Sequence, residues 1–213
     1  ASFVSLHVDS GLANGIALML DALNTGTPMV VTSANYDARK VTEVMTDLAG
    51  LVRPVTKWSV ELTLPDQIPG AIRRAFNEAN SHPKGPVYVG FSSNALEGTA
   101  EMNIVPSSKI HDSPRPDMKG IQEATALLVA SSKPMMIVGD RVSDDDAVNQ
   151  AIELAELLGL PVYQSRGAEV AFPTTHPQFM GNHSLRVAKD REILQESDLV
   201  LAIGMDALDE LFY

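Results

Sequence analysis

Short apolar runs alternate with amphipathic stretches along almost the whole chain, and that order leaves few folds open. SFVSLHV reads as a strand over Phe3 to Val8, and GLANGIALMLDALNTG follows with Ile16, Met19, Leu20 and Leu23 at helical spacing and Gly26 as a stop. PMVVTSA is a short buried-type strand, ARKVTEVMTDLAG a helix over Ala38 to Gly50, and VTKWSVEL a strand over Val55 to Leu62. A helix with Ile68, Ile72, Phe76 and Ala79 on one face then leads to the strand PVYVGF, Pro86 to Phe91. Strand and helix in strict alternation predict crossovers on a parallel sheet with helices on both faces.

The pattern lapses over Ser92 to Met118, a stretch rich in Ser, Pro and Asn that reads as a linker. It resumes with a helix near Lys119 to Ser131, the strand PMMIVGD, and a helix near Asp144 to Leu158 that opens on three aspartates and stops at Gly159. LPVYQS is a further strand, a loop runs through RGAEVAFPTTHPQFMGNHS, and a helix near Ala188 to Glu196 leads into the strand DLVLAIG. The expected fold class is α/β, two parallel-sheet three-layer domains: residues 1–91, a linker over 92–118, and a second domain over 119–213.

At 213 residues with 45% hydrophobic and 20% charged residues, the chain has the make-up of a globular protein, and no apolar run approaches the ~20 residues of a membrane helix. A net charge of -11 argues against a nucleic-acid partner, whose phosphates are bound by clustered Lys and Arg. With no cysteine there is no disulfide, no thiolate metal site and no cysteine nucleophile, and a cytoplasmic location is expected. The chain opens at Ala1 directly on a strand-type run, which reads as the start of a fragment.

Standard catalytic motifs are absent: there is no P-loop, no G-x-S-x-G and no H-E-x-x-H, and no His and acid stand at metal-ligand spacing. IVGDRVSDDDA invites a dinucleotide reading, but with Gly139 alone and carboxylates where phosphates would sit, a structural helix cap is the better one. Of the five histidines, His82 and His111 lie in polar loops, and His176 and His183 stand seven residues apart in a loop with no carboxylate between them. His7 differs, because it falls at the carboxyl end of a strand just before the Gly11 turn, where open α/β sheets gather ligands.

The run FVSLHVDSGLANGIALMLDALNTGTPMVVTSANYDARK, with LAGLVRPVTKWSVEL, AIRRAFNEAN and KGPVYVGF, resembles the pyrimidine-binding domain of thiamine-diphosphate-dependent 2-oxo acid decarboxylases. The similarity is to the benzoylformate decarboxylase-like branch, on an L-H element followed by a glycine and an asparagine, here Leu6, His7, Gly11 and Asn14. KPMMIVGD, ELAELLGLPVY, FPTTHPQFMGNHS and SDLVLAIG resemble the family's central domain.

The resemblance implies a non-oxidative decarboxylase of a 2-oxo acid, using thiamine diphosphate and Mg and assembling as a homo-oligomer. It implies His7 as an active-site proton relay, Gly11 as room for the cofactor beside the backbone, and Asn14 as an organiser of the helix start. At SANYDAR, Ala34 stands where relatives have a glycine before an amide-bearing residue. The family's activating glutamate would precede Ala1 and its G-D-G domain, which holds Mg and the diphosphate, would follow Tyr213, so this chain alone is expected to be inactive and to bind neither. The alternatives are a non-catalytic α/β interaction module on the same scaffold and one subunit of a split enzyme.

Overall fold

The computed structural model describes residues 1–40, 45–105, 115–165 and 170–205. The chain divides into two units, Ala1–Ser113 and Pro114–Tyr213. His111, residues 41–44 of the helix expected over Ala38 to Gly50, and the C-terminal DALDELFY lie outside the described residues.

In the first unit β1 (Ser2–Leu6), β2 (Met29–Asn35), β3 (Ser59–Leu62) and β4 (Pro86–Ser92) form one sheet in the order β1-β2-β4-β3, every neighbouring pair parallel. Parallel neighbours need crossovers, and α1 (Ser10–Asn24), α2 (Leu48–Val52) and α3 (Ile68–Asn80) provide them. Because side chains alternate across a strand, Val31 and Tyr88 pack on Leu12, Met19, Leu48 and Val52, while Val30, Val87 and Val89 pack on Ala75 and Ala79. Helices thus cover both faces, giving three layers. α3 carries Pro69 in its first turn, where the missing N–H costs nothing. At its other end the Lys57 ammonium donates to the carbonyls of Glu78 and Ser81, satisfying acceptors the helix leaves open. A short helix, α4 (Ser93–Glu97), follows β4.

The second unit begins with α5 (Met118–Ala130) and β5 (Pro134–Val138), then α6 (Arg141–Asp144), α7 (Val148–Leu158), β6 (Val162–Ser165), β7 (Phe179–His183), α8 (Ala188–Glu196) and β8 (Leu199–Ile203). Its sheet runs β7-β6-β5-β8, again all parallel. Ala151 and Ala155 of α7 sit on Met136, Val138 and Val162, with Phe172 closing the cluster. Asp198 ties the start of β5 to that of β8 by accepting from the Ser131 hydroxyl and the N–H groups of Ser132 and Lys133. Those bonds, the Ser131 hydroxyl foremost, hold its carboxyl below the usual range.

Four expectations are corrected. Of the helix expected over Ala38 to Gly50, the described residues 38–40 and 45–47 are not helical: Asp37 accepts from the Arg39 N–H and guanidinium, and Asn94 accepts from the Ala38 N–H, holding the start of the stretch in a turn. The helix starts instead where Asp47 caps the Gly50 N–H. The helix over Asp144 to Leu158 breaks into α6 and α7 at Asp146, whose φ is 54°. β7 lies within the expected loop, its pattern masked by Gly181 and Asn182. Leu20, expected on the buried side of α1, is 46% exposed, and Ala22 is buried instead.

Candidate functional site

The carboxyl edge of the first unit's sheet collects its unusual chemistry. β1 stops at Leu6 and the chain turns into α1 through His7, Val8 and Asp9, with the Leu12 N–H returning to the His7 carbonyl at 3.0 Å. His7 is exposed, and its Nδ1 lies 3.1 Å from the Val8 carbonyl. A carbonyl only accepts, so Nδ1 carries the hydrogen and Nε2 is the basic nitrogen of the neutral ring. The ring is a proton donor and acceptor with its tautomer set by its own turn.

Gly11 lies directly under this side chain. A Cβ built on Gly11 would stand 2.6 Å from the Cβ of His7, too close for any other residue to keep this turn. Asn14 is exposed one turn further along α1, while the N-cap falls on Asp9.

Beside these three, the sheet brings together polar residues that sequence reasoning missed. Ser33 registers with Leu6 and Gly90, Asn35 with Ser92, and Glu61 with Gly90, so these face the α1 and α2 side near the carboxyl edge, while Ser59, level with Tyr88, lies on the same side at the start of β3. The buried Ser33 hydroxyl and Tyr88 phenol are 2.7 Å apart. Burial pushes the phenol up to about 12, the Ser33 bond opposes the rise, and the charges of Glu61 and Asp9 add to it. Asn35 Nδ2 donates to Glu61 Oε1 at 2.8 Å and to the Thr46 carbonyl at 3.0 Å. Burial raises the Glu61 carboxyl above its ordinary range despite that bond, and Asp47 reinforces the rise. Asp9 Oδ1 and Ser59 Oγ are buried without a hydrogen-bond partner. The signal was available: Ser33 with Asn35, and Ser59 with Glu61, are polar pairs two apart in otherwise apolar runs.

The same edge is stitched into a fixed shape. Asn94 donates to the Thr63 carbonyl at 2.6 Å, and the Ser92 hydroxyl donates to the Leu62 carbonyl at 3.0 Å. Asp37, buried, takes the Arg39 guanidinium at 2.7 Å. In the second unit His176 engages Glu156 at 3.4 Å and His183 donates to the Asp190 carbonyl at 3.0 Å, so the two are used separately. No group of three or more His, Cys, Asp or Glu among the described residues is placed to hold a metal ion, and no helix among them is long and apolar enough to cross a membrane.

Two parallel α/β units in succession are an arrangement shared with known proteins. The family model for the central domain of thiamine pyrophosphate enzymes matches residues 121–212. The benzoylformate decarboxylase of Pseudomonas aeruginosa is 28% identical over 211 residues, covering 95% of this chain and 40% of that protein. An acetolactate synthase of Mycobacterium bovis is 29% identical over 201 residues, covering 91% of this chain and 32% of that protein. Among solved structures, a benzoylformate decarboxylase from Polynucleobacter necessarius superposes with a TM-score of 0.84 at 26% identity, over 95% of this chain and 39% of that one. Over most of its length the chain is thus similar to thiamine-diphosphate-dependent enzymes, among relatives that include both decarboxylases and acetolactate synthases. It spans two-fifths or less of the length of the curated relatives named here.

Proposed function

We propose that this chain is part of a thiamine-diphosphate-dependent enzyme that decarboxylates a 2-oxo acid without oxidation, and that the carboxyl edge of the first sheet is its aminopyrimidine-facing wall. Residues 1–91 are read as the later part of the pyrimidine-binding domain, 92–118 as a linker and 119–213 as a central domain. The observation that carries the reading is His7 held over Gly11 at a strand end, with Nε2 left as the basic nitrogen.

The aminopyrimidine half of the cofactor would meet at this edge an exposed imidazole whose Nδ1 is committed to the Val8 carbonyl. The diphosphate half does not fit the edge. Asp9, Asp47 and Glu61 make it acidic, and Arg39, its nearest guanidinium along β2, is already bound to Asp37. Phosphates are held by backbone nests, cations or a metal, so no role is assigned to this chain's residues in holding the diphosphate or Mg.

When bound, thiamine diphosphate supplies the electron sink for the substrate's carbonyl carbon. The reaction breaks the bond between that carbon and the carboxylate, releases CO2, leaves the electron pair on the carbonyl carbon, and forms a C–H bond there with one proton. His7 delivers that proton and recovers it from solvent, to which it is open. Gly11 lets the ring approach the backbone, and Asn14 lines the exposed side of α1 beside it. The enzyme is read as a cytoplasmic homo-oligomer.

The test is to express the whole coding sequence in which these residues occur and assay CO2 release from aromatic, branched and short 2-oxo acids. The expected result is aldehyde formation that requires thiamine diphosphate and Mg and consumes no O2. No turnover of any 2-oxo acid by folded, cofactor-supplemented protein would overturn the reading in favour of a non-catalytic module.

A further inference from the structure

The turn that carries His7 is built against three local preferences at once. Asp9 adopts φ 53° and ψ -93°, a strained conformation for a residue with a Cβ. It occupies the N-cap of α1, where an aspartate ordinarily accepts from the first N–H groups of the helix, yet it makes no capping bond. Its Oδ1 is instead buried with no hydrogen-bond partner, on the side of the turn where the Tyr88 phenol senses its charge. A glycine would meet the backbone demand without strain, and a serine would cap. Three costs gathered in one residue, two positions after an exposed histidine at a strand end, call for a purpose other than stability.

We propose that Asp9 is a positioning residue for His7. Its left-handed backbone turns the chain sharply between β1 and α1, with the side chain inward instead of capping, and so directs His7 outward over Gly11. The histidine is then held from three sides: by the missing Cβ of Gly11 beneath it, by the Val8 carbonyl on Nδ1, and by the anchored backbone two residues on. This rests on the reading of His7 as a proton relay, since only a side chain that must meet a reacting atom repays such a turn.

The test uses the full 213-residue chain and two variants, Asp9→Gly and Asp9→Asn, with two readouts: thermal melting, and the χ1 distribution of His7 from three-bond couplings in labelled protein. Asp9→Gly removes the strain and the orphaned oxygen, so its melting point rises by about 2–4 °C. In the same variant His7 averages over its rotamers, whereas wild type shows one. Asp9→Asn tolerates the same backbone and removes the buried charge that the Tyr88 phenol senses, so it melts above wild type and keeps the single rotamer. A fall in melting point for Asp9→Gly would make Asp9 an ordinary structural anchor. An unchanged His7 rotamer in that variant, or an averaged one in wild type or Asp9→Asn, would overturn the positioning role. Because the couplings need no cofactor, they are readable whether or not the enzyme decarboxylates anything, and the two readings fail separately.

Discussion

Asp37 and Tyr88 show how individual side chains at this edge are tied to pH and to burial. The Arg39 guanidinium, with the Arg39 N–H, holds the Asp37 carboxyl down to about 2. An acid depressed in the folded state stabilises above its unfolded pKa of about 3.9 and loses that contribution as pH falls through its folded value. The urea midpoint of wild type should therefore drop between about pH 4 and pH 2 more steeply than that of Asp37→Asn, and parallel curves would contradict this. Tyr88→Phe removes the partner of a buried Ser33 hydroxyl and should cost about 1–3 kcal/mol in a denaturant titration. In wild type the phenol should resist ionisation until about pH 12. His7 and Gly11 stand out in the sequence because a histidine before a glycine at a strand end is a local pattern. Ser33, Glu61 and Tyr88 do not, because their proximity comes from register between β2, β3 and β4.

At the scale of elements, β5 and β8 meet through two glycines. A Cβ on Gly139 would stand 2.5 Å from the Gly204 carbonyl oxygen and 2.8 Å from the Met205 Cα, and backbone at both places has little freedom to yield. Gly139→Ala should thus destabilise the second unit by about 1–3 kcal/mol or more, read from its melting transition, and a neutral effect would show that the two strand ends part easily. The alternation of strands and helices was legible because each buried strand is a continuous apolar run, as in PVYVGF, and because α3 and α8 carry clear periodicity or boundaries. The helix expected to begin at Ala38 does not begin there for a reason no local pattern contains, since Asn94 takes the Ala38 N–H from beyond β4. β7 was illegible because a half-exposed edge strand with a glycine at φ 111° has no apolar run to announce it.

The described residues form two parallel α/β units, and the carboxyl edge of the first carries Asp9, Asp47 and Glu61 where a diphosphate would need cations. Calorimetric titration of the 213-residue chain with thiamine diphosphate and Mg should therefore show no saturable, Mg-dependent binding. Such binding would show that these residues already contain a clamp. The account's central claim, that His7 moves the proton, is tested by His7→Ala in the enzyme expressed from the whole coding sequence. Loss of a positioned general acid costs about 10²–10⁴-fold in rate, so kcat for 2-oxo acid decarboxylation should fall by that factor while thiamine diphosphate affinity stays within a few-fold. An unchanged kcat in a folded, cofactor-loaded His7→Ala enzyme would contradict the assignment and return His7 to the status of a turn residue.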